Sequence, residues 1–435
     1  MSRVLIVSYF YPPCNLTGGR RPASWVRYLP QFGFQPVVVT RRWDHPIAIP
    51  SDMFIPTGSD LQVERKEDNE VRRVPHRASL RDRIYIRYGE SRAVALRKSL
   101  SLSGRLLDLS STRLTSYRGL LAEARAVLSA NPDIRHMVIS AGPFPTFGIG
   151  HAISRSHPRV RWIADYRDEW TTCLITNWAS MSDRFLRAIE RRVERAWVGT
   201  ASMVTTVNED SLLRIAALTG RPGAVLLNGF DEESLALAAE PAPVGVFRIT
   251  HAGTLYPTQP IEVFLHGALG AMRALEGRVR IEVQFPGLAF SPEEVGRVER
   301  VIEGPLRDRF FITPRIPHSE ALALERSSHV LLLVGHRGRA DVPSSKLYEY
   351  VGLRKPVLLS PSDSGVMEQT LRACGLAHVA STSEEVEITL TRLVEDYLAT
   401  GSIAVQPIES EVRLFSRRRQ AERLADLLRQ VDGVK

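Results

Sequence analysis

The chain alternates short runs of aliphatic and β-branched residues with longer stretches in which apolar residues recur every three or four positions. Short runs of this kind are typical of strands buried on both faces, and the longer stretches are typical of helices with one apolar face. Their alternation predicts parallel sheets that are covered by helices on both sides. In the first half of the chain, the predicted strands are 3–8, 36–40, 136–140, 161–165, 203–207 and 224–228, and the predicted helices include 20–32, 119–130 and 183–199.

The alternation pauses at LAAEPAPVGV (237–246) and then begins again. A stretch rich in Ala, Pro and Gly is typical of a connection between domains, and 435 residues are more than one core usually supports. We therefore predict an α/β chain of two doubly wound domains, 1–240 and 247–411, with a ligand site beyond the carboxyl ends of the strands, in a cleft between the sheets. In the second half, the predicted strands are 247–253, 279–285, 309–314, 329–334, 356–360 and 376–380, and the predicted helices are 260–274, 291–303, 318–327, 344–351, 365–373 and 416–431.

The composition is ordinary for a soluble globular protein, with 44% apolar and 24% charged residues. No apolar run approaches the roughly 20 residues that a membrane-spanning helix needs. The N-terminal segment indicates a buried strand rather than a secretory signal. Cys14, Cys173 and Cys374 lie far apart and lack the spacing of a metal site, so we expect a reducing, cytoplasmic environment.

Much of the formal charge of +9 comes from the region 71–120, where arginine and lysine greatly outnumber aspartate and glutamate. Apolar residues such as Leu96, Leu100 and Leu106 share this region, which fits an amphipathic surface helix. A cationic surface of this kind attracts a polyanion or an anionic membrane leaflet, although a solvated helical face has a similar composition. Because none of the usual nucleic-acid-binding motifs is present in the sequence, we favour the inner face of a membrane over nucleic acid as a partner.

The stretch that follows the run HVLLLV collects the side chains of a phosphate-binding site. Ser344 is a natural N-cap for a helix, and Gly352 is expected to end that helix. The free N–H groups of the first turn carry partial positive charge, and Lys346 adds a full charge there. Glu349 and Asp341 could accept hydrogen bonds from sugar hydroxyls, so the set suits a nucleotide sugar. Alternatively, Lys346 and Glu349 are spaced to pair with each other on an exposed helix face.

The segment DVPSSKLYEYVGLRKPVLLS (341–360) resembles the acid-x7-Glu donor region of GT-B glycosyltransferases, specifically those of the retaining family 4 type. Other segments resemble the same family in the expected order, so the resemblance covers nearly the whole chain. In the first domain, they correspond to the first strand with its glycine-bearing loop (3–40), a stretch that ends in a D-x-R-D-x-W signature (138–170) and two segments at the end of the domain (201–210 and 224–231). The start of the donor domain (247–257) and the terminal helix (415–428) follow.

The resemblance implies the GT-B fold, in which two Rossmann-like domains face each other across a cleft and a C-terminal helix, here 415–435, crosses back to the first domain. It implies a retaining, metal-independent transfer of a hexosyl-type sugar from a nucleotide diphosphate, most readily UDP or GDP. The acceptor would be a glycan or a lipid-linked glycan in polysaccharide or cell-surface glycan biosynthesis. No cofactor other than the nucleotide-sugar substrate is expected, and the sequence shows no acidic cluster typical of a metal site.

Within the second domain, the resemblance gives each residue of the donor motif a role. Glu349 would hold the ribose and Asp341 would hold the transferred sugar. Gly253 would let the backbone approach the phosphates, because glycine has no side chain in the way. The remaining residues expected to bind the donor are Thr254, Arg337, Arg339, Ser344, Ser345 and Lys346.

In the first domain, Gly18 and Gly19 would lie near the acceptor and the donor. Asp165 and Asp168 would face the cleft and orient a sugar, while the arginine between them balances their charge. Together with Lys346, these two aspartates are the predicted catalytic residues.

Two features depart from the family pattern. Many members carry an arginine and a lysine shortly after the first strand of the donor domain, whereas GTLYPTQP (253–260) has neither. Arg337, Arg339 or Lys346 would therefore have to bind the diphosphate. In addition, Asp341 is one methylene shorter than the usual glutamate, which could shift the donor sugar.

Other interpretations stay open. A nucleotide-sugar epimerase could use the same architecture, and the missing basic pair leaves room for a degenerate GT-B protein that serves as a scaffold or binding subunit. Trp170 and Trp178 could stack on a sugar or fill the core. His136, His151 and His251 could act as bases, but a lone histidine near a strand is more often structural. A pair of dehydrogenase-like domains is disfavoured because no G-x-G-x-x-G follows the first strand.

Overall fold

The computed structural model describes residues 1–47, 49–89, 92–110, 115–173, 181–235 and 241–433. Contacts between Cα atoms group the chain into two compact units. Unit 1 comprises Met1–Leu227 together with Arg417–Lys435, and unit 2 comprises Asn228–Ser416.

In unit 1, eight strands of the described residues form one sheet. The strands are β1 (Ser2–Ser8), β2 (Phe34–Arg41), β3 (Gln62–Arg65), β4 (Glu70–Val74), β5 (His136–Ser140), β6 (Arg161–Tyr166), β7 (Met203–Thr206) and β8 (Gly223–Val225). Their order in the sheet is β3-β4-β2-β1-β5-β6-β7-β8, and all neighbouring pairs are parallel except β3 with β4. The order reverses direction between β1 and β5, which makes this pair the switch point where α/β sheets usually bind ligands.

Consecutive buried residues of β1 pack alternately into two apolar cores, one on each face of the sheet. This explains why the sequence of the strand is a continuous apolar run. Leu5 and Val7 belong to the apolar cluster on one face of the sheet, and Val4 and Ile6 belong to the cluster on the other face. Side chains of a strand alternate between faces, so a sheet covered on both sides needs apolar residues at every position. The helices of unit 1 that precede unit 2 are α1 (Thr17–Tyr28), α2 (Leu80–Tyr88), α3 (Val94–Ser110), α4 (Arg118–Ala130), α5 (Phe147–Ser156), α6 (Met181–Val198) and α7 (Glu209–Thr219).

The six strands predicted for the first half are confirmed, but the prediction missed β3 and β4. Both missed strands lie at one end of the sheet and carry charged side chains, as their sequences QVER and EVRRV show. The edge strand β3 is exposed along its length, and β4 beside it has one buried residue, so neither strand carries the apolar pattern on which the prediction depended.

Unit 2 contains a six-stranded parallel sheet among the described residues. Its strands are β9 (Val246–Thr250), β10 (Arg280–Pro286), β11 (Phe310–Thr313), β12 (Val330–Leu333), β13 (Val357–Leu359) and β14 (Ala377–Val379). The order β11-β10-β9-β12-β13-β14 is that of a doubly wound Rossmann fold, with its switch point between β9 and β12. The helices of unit 2 are α8 (Glu232–Leu235), α9 (Glu262–Ala274), α10 (Pro292–Ile302), α11 (His318–Ser327), α12 (Ser345–Leu353), α13 (Val366–Ala373), α14 (Ser383–Thr400) and α15 (Glu409–Leu414).

All six strands predicted for the second half are present, whereas α14 was not predicted. Its start carries a readable signal, since Thr382 and Glu385 form a capping box in which each side chain accepts a hydrogen bond from the other residue's backbone N–H. Four residues of α14 that recur at helical spacing are fully buried: Val386, Leu390, Leu393 and Val394.

The last helix, α16 (Arg417–Gly433), returns the chain to unit 1. Leu424 and Leu428 are fully buried in the same apolar cluster as Trp25 of α1 and Val4 of β1. The terminal helix therefore completes one face of the first sheet.

Residues 228–235 belong to unit 2, whereas the predicted first domain extends to residue 240. Phe230 and Leu235 lie against α12, where their side chains occupy the space that a Cβ on Gly352 would need. The chain thus joins the second core before it reaches the predicted connector. No helix among the described residues is both long enough and apolar enough to cross a bilayer.

The close contact between α9 and α14 gives a test of the unit 2 core. A Cβ on Gly267 of α9 would collide with the backbone oxygen of Ser383 and the side chain of Val386, so we expect Gly267→Ala to lower the free energy of unfolding by about 1–3 kcal/mol. Gly296 of α10 meets nothing within 4 Å. Gly296→Ala should therefore raise the free energy of unfolding by about 0.5–1 kcal/mol. Urea denaturation followed by circular dichroism measures both, and equal stabilisation by the two substitutions would contradict the packing of α9 on α14.

Candidate functional site

The carboxyl ends of β9 and β12 hold the donor motif of unit 2 together. After β12 the chain returns to the segment that follows β9, because the N–H of Arg337 donates to the carbonyl oxygen of Thr258 at 2.7 Å and Nδ1 of His336 lies 2.8 Å from Oγ1 of Thr258. From α12, Nζ of Lys346 donates to the carbonyl oxygen of Thr254 at 3.3 Å. The first turn of α12 thus lies at the switch point of the sheet.

The start of α12 agrees with the sequence prediction. Ser344 is the N-cap, and its Oγ accepts a hydrogen bond from the N–H of Lys346 at 3.3 Å. Ser345, the first residue of the helix, is exposed. The predicted end at Gly352 is wrong, since the helix continues to Leu353 and stops where Arg354 adopts a left-handed conformation with φ of 55°. Gly352 instead serves the close packing described above.

Lys346 lies directly over Gly253. A Cβ on Gly253 would be 3.2 Å from Cε and 3.5 Å from Nζ of Lys346, and Gly253 has a φ of 95°, so its backbone position favours glycine. Burial lowers the pKa of the Lys346 amine to about 8, while the nearby carboxylates of Glu325 and Glu349 oppose this shift. The interior therefore holds a cation whose desolvation is not fully compensated, and a bound anion would supply the missing compensation.

Glu349 is partly buried and pairs with a histidine from another helix. Its Oε1 lies 2.5 Å from Nε2 of His318, at the start of α11. The alternative that Glu349 and Lys346 pair on an exposed helix face does not match this geometry, because the Lys346 amine bonds to Thr254 and is partly buried. The proposed contact of Glu349 with a ribose stays a prediction. His318 was missed because it precedes Glu349 by 31 residues without any local signal.

Arg339 and Asp341 form a bidentate pair with each other. The two N–H···O distances are 2.8 Å and 2.9 Å, and each side chain is only 16% exposed. Arg337, by contrast, is exposed, and with Arg339 it lines a cavity of about 530 Å³ that also involves Ser362. A donor that used Asp341 would have to share the carboxylate with Arg339. The predicted roles of Arg337, Arg339 and Asp341 stay predictions.

In unit 1, Asp165 is fully buried, which corrects the prediction that it faces a cleft. Nε and Nη2 of Arg21 donate to its two carboxylate oxygens at 3.1 Å and 2.7 Å. Ser140 and Thr205 donate further hydrogen bonds at 2.9 Å and 2.8 Å. Arg21 also donates to the carbonyl oxygen of Leu227 at 2.7 Å. Since four donors occupy the carboxylate and none of its surface is exposed, Asp165 ties α1 to β5, β6 and β7 and does not contact a substrate.

Asp168 is exposed, and its partner is the arginine beside it, while its predicted role at a cleft stays a prediction. Oδ2 of Asp168 accepts hydrogen bonds from Nε and Nη2 of Arg167 at 2.9 Å and 2.7 Å. The Arg167 guanidinium occupies the space beside Gly18, where a Cβ would collide with Nη1. Gly19 lies against the backbone of Tyr11, 3.3 Å from where its Cβ would be. These glycines make room for protein groups, and a contact with substrate stays a prediction.

The remaining aromatic and histidine candidates are mostly structural. Trp170 is 9% exposed and stacks on Phe144 with the ring centroids 5.4 Å apart, so it fills the core. Trp178 lies outside the described residues. Burial, helped by the charge of Lys346, lowers the pKa of His251 to about 3, and its Nδ1 is 2.9 Å from the carbonyl oxygen of Leu332. His251 is therefore a neutral core histidine. No group of three or more histidine, cysteine or carboxylate side chains within the described ranges could hold a metal ion.

The free energy of unfolding of two variants tests whether Asp165 is structural and Asp168 is not. Asp165→Ala would leave the buried Arg21 guanidinium without its carboxylate partner, so we expect a loss of about 3–5 kcal/mol in the free energy of unfolding. Asp168→Ala, which removes an exposed pair, should cost less than about 1 kcal/mol. Urea denaturation of the two variants checks the difference. Asp165→Ala protein with wild-type stability would contradict a structural role for the Asp165 carboxylate.

Comparisons with known proteins show a likeness in fold. No protein-family model matches the sequence, and no curated protein matches it. Among solved structures, sucrose-phosphate synthase from Thermosynechococcus elongatus is 15% identical with a TM-score of 0.61, and each chain is covered to 100%. A UDP-forming α,α-trehalose-phosphate synthase from Burkholderia xenovorans, in complex with glucose-6-phosphate, is 13% identical with a TM-score of 0.63, covering 99% of this chain and 100% of the other.

A third similar structure is that of Anabaena HepE in complex with UDP and glucose. It is 13% identical to this chain with a TM-score of 0.59, and the match covers 99% of this chain and 100% of HepE. At these identities the likeness concerns the fold. Together with the two Rossmann-like units described above, it shows that the chain has the GT-B fold, as the sequence predicted.

Proposed function

We propose that this protein is a glycosyltransferase that moves a sugar from a nucleotide diphosphate to a hydroxyl group of a glycan or lipid-linked acceptor. The observation that carries the proposal is the arrangement at the switch point of unit 2. There the first turn of α12, the partly buried amine of Lys346 and the open backbone of Gly253 come together. A helix N-terminus and a cation next to a glycine form a binding site for phosphate groups.

The chemistry of sugar transfer explains why these groups would matter. As the bond between the anomeric carbon and the diphosphate oxygen breaks, negative charge develops on the leaving diphosphate. Lys346 and the N–H groups at the start of α12 would stabilise that charge without reorganising, because the fold already fixes them. The new bond forms to the acceptor oxygen, and the proton of the acceptor hydroxyl would pass to the departing diphosphate. No metal is invoked in this scheme.

The rest of the donor would be bound by side chains around α12. Glu349, oriented by His318, has carboxylate oxygens suited to a ribose hydroxyl pair, and Asp341, oriented by Arg339, is suited to hydroxyls of the sugar. One of the similar proteins is a UDP-forming enzyme and another has UDP bound, which favours a UDP-sugar. Retention at the anomeric carbon, a hexosyl-type sugar and a role in polysaccharide biosynthesis are further parts of the proposal that rest on the sequence resemblance.

A thermal-shift screen against UDP-, GDP- and ADP-sugars tests donor binding. A ligand at about a hundred times its dissociation constant adds roughly 2.7 kcal/mol of stability, so the correct nucleotide should raise the melting temperature clearly. Glu349→Ala should lose this shift because the ribose contact is removed. Glu320→Ala is the matched control, since Glu320 is an exposed glutamate of α11. A full shift in the Glu349→Ala protein would refute the assignment of the ribose site.

Product analysis separates the proposal from its two rivals. Incubation with the donor but no acceptor should yield no epimer and little free nucleotide, whereas a nucleotide-sugar epimerase would form its product without an acceptor. Donor binding without turnover on any acceptor would instead favour the degenerate scaffold.

The low pKa of Lys346 predicts how donor binding depends on pH. The amine is protonated below about 8 and neutral above it, so its charge is available to a diphosphate at neutral pH and is lost as the pH rises through 8. We expect the affinity for UDP to fall by up to about tenfold per pH unit above pH 8, until the pH reaches the raised pKa of the complex. Titration calorimetry between pH 6.5 and 9.5 measures this dependence.

Two substitutions serve as controls for that titration. Lys346→Arg keeps its charge throughout the range and should remove the decline in affinity. Lys346→Met should weaken UDP binding at pH 7 while raising the melting temperature of the ligand-free protein, because a desolvated cation is gone. Parallel pH profiles for the wild type and Lys346→Arg would show that another group titrates.

A further inference from the structure

Unit 1 contains a cavity that none of the groups described so far occupies. Its volume is about 490 Å³, and it lies between the segment before β3, the end of β4 and the start of α2. Two hydrogen bonds hold its walls together: the N–H of Thr57 donates to the carbonyl oxygen of His76 at 3.1 Å, and the N–H of His76 donates to Oγ1 of Thr57 at 2.8 Å. The cavity is thus part of the fold rather than a gap between side chains.

Three basic side chains line the cavity, namely His76, Arg77 and Arg83, and no acidic side chain lines it. His76 is 8% exposed, and within the described part of the chain its Nε2 is buried without a hydrogen-bond partner. The ring lines the cavity through its other atoms, because Nε2 itself has almost no accessible surface. Burial lowers the pKa of His76 to about 4, so the ring is neutral at pH 7 and can donate or accept one hydrogen bond at each nitrogen.

The two arginines of the cavity differ from their neighbours in the sequence. Arg72, Arg73 and Arg81 are each paired with a carboxylate at 3.1 Å or less. Arg77 and Arg83 are exposed, and the structure gives neither guanidinium a carboxylate partner among the residues that it describes. The two arginines at the cavity therefore keep their charge available to a ligand, whereas the charges of Arg72, Arg73 and Arg81 are compensated.

The other side chains at the cavity are small or apolar, and they continue into an apolar surface. Pro56, Pro75, Ala78 and Ile86 contribute carbon atoms to the lining. Helix α2, which begins beside the cavity, and helix α3, which contacts α2, expose several large apolar side chains, with exposed fractions of 40% to 62%: Leu80, Ile86, Val94, Leu96, Leu102, Leu106 and Leu107. A ligand that satisfies both halves of this surface needs an anionic head and an apolar body.

We propose that the cavity binds the phosphate of an amphiphilic phosphate ester, with Arg77, Arg83 and His76 around the phosphate and the exposed apolar face of α2 and α3 along its hydrocarbon. The proposal rests on the proposed function in one respect, since a lipid-linked acceptor would supply such a phosphate. A phospholipid of the membrane surface has the same chemistry. In either case the ligand is recognised as a phosphate attached to a hydrocarbon chain, and the cavity would place unit 1 at a lipid surface.

Calorimetric titration of the full chain with dodecyl phosphate, below its critical micelle concentration, tests the proposal. The double variant Arg77→Gln/Arg83→Gln should bind it at least about tenfold more weakly than the wild type, because two charge-assisted hydrogen bonds are lost. The control variant Arg87→Gln/Arg92→Gln removes the same charge from the same basic region but from side chains that do not line the cavity. Its affinity should stay within about twofold of the wild type. Binding elsewhere in the chain is common to all three proteins and cancels in the comparison.

Two results would overturn the proposal. Equal weakening by the two double variants would mean that a diffuse positive surface attracts the anion. Equal affinity for inorganic phosphate and dodecyl phosphate would mean that the apolar part of the ligand is not recognised.

Vesicles of phosphatidylcholine with phosphatidylglycerol distinguish the two sources of the phosphate. If only Arg77→Gln/Arg83→Gln loses vesicle binding, the cavity binds a bilayer headgroup. If vesicle binding is unchanged while dodecyl phosphate binding is lost, the cavity binds a single lipid phosphate, such as that of a lipid-linked acceptor, and not a bilayer headgroup. The thermal shift with nucleotide sugars should be the same in all three proteins, so a failure of lipid-phosphate binding is separable from a failure of the proposed glycosyl transfer.

Discussion

The carboxyl ends of parallel strands all lie on the same side of their sheet, and the rest of this structure depends on that constraint. In unit 2 the sheet order reverses between β9 and β12, so the segments that follow these two strands diverge and leave room above the edge. Gly253 and Thr254 follow β9, and the approach to α12 follows β12. The contact of Lys346 with Thr254 is then a consequence of topology, because residues that are 92 positions apart meet at the same edge. Charge and glycine are brought together by the sheet rather than by local sequence.

A fully buried charged group, Asp165, and a partly buried one, Lys346, differ in how far the protein compensates their charge. The Asp165 carboxylate has an arginine, a serine and a threonine around it, and its pairing is complete inside unit 1. The Lys346 amine has one backbone oxygen as its bonded partner, and burial lowers its pKa to about 8. A complete network holds elements in place, whereas an incomplete one retains binding capacity for a ligand. This difference in compensation separates a structural charge from a candidate functional one more clearly than the motif that contains it.

The sequence predicted much of the fold because the strands of a doubly wound sheet are buried on both faces and therefore have continuous apolar sequences. It did not reveal β3 and β4, whose polar residues are mostly not buried. It also placed Asp165 at a substrate, because D-x-R-D does not indicate which carboxylate points inward. The deciding residue, Arg21, lies 144 positions away. In the predicted donor motif, the sequence located the helix start at Ser344 because capping depends on neighbouring residues. The partner of Glu349 belongs to another helix, so it could not be predicted from the local sequence. Unpaired cations such as Arg77 and Arg83 become visible only when the partners of their neighbours are known.

The return of α16 to unit 1 has a consequence for how the chain acquires its structure. One apolar face of the first sheet is closed by residues of α16, including Leu424 and Leu428, so β1 and α1 wait for a segment that is made much later than they are. Unit 2 lies between these segments in the sequence, and all its strands in the described residues are made before α16. Vectorial synthesis therefore favours completion of the second unit before the first, with unit 1 exposing an open hydrophobic face in the meantime. Contacts that span nearly the whole chain make that closure intrinsically slow, and the nascent protein is most vulnerable to aggregation during this interval.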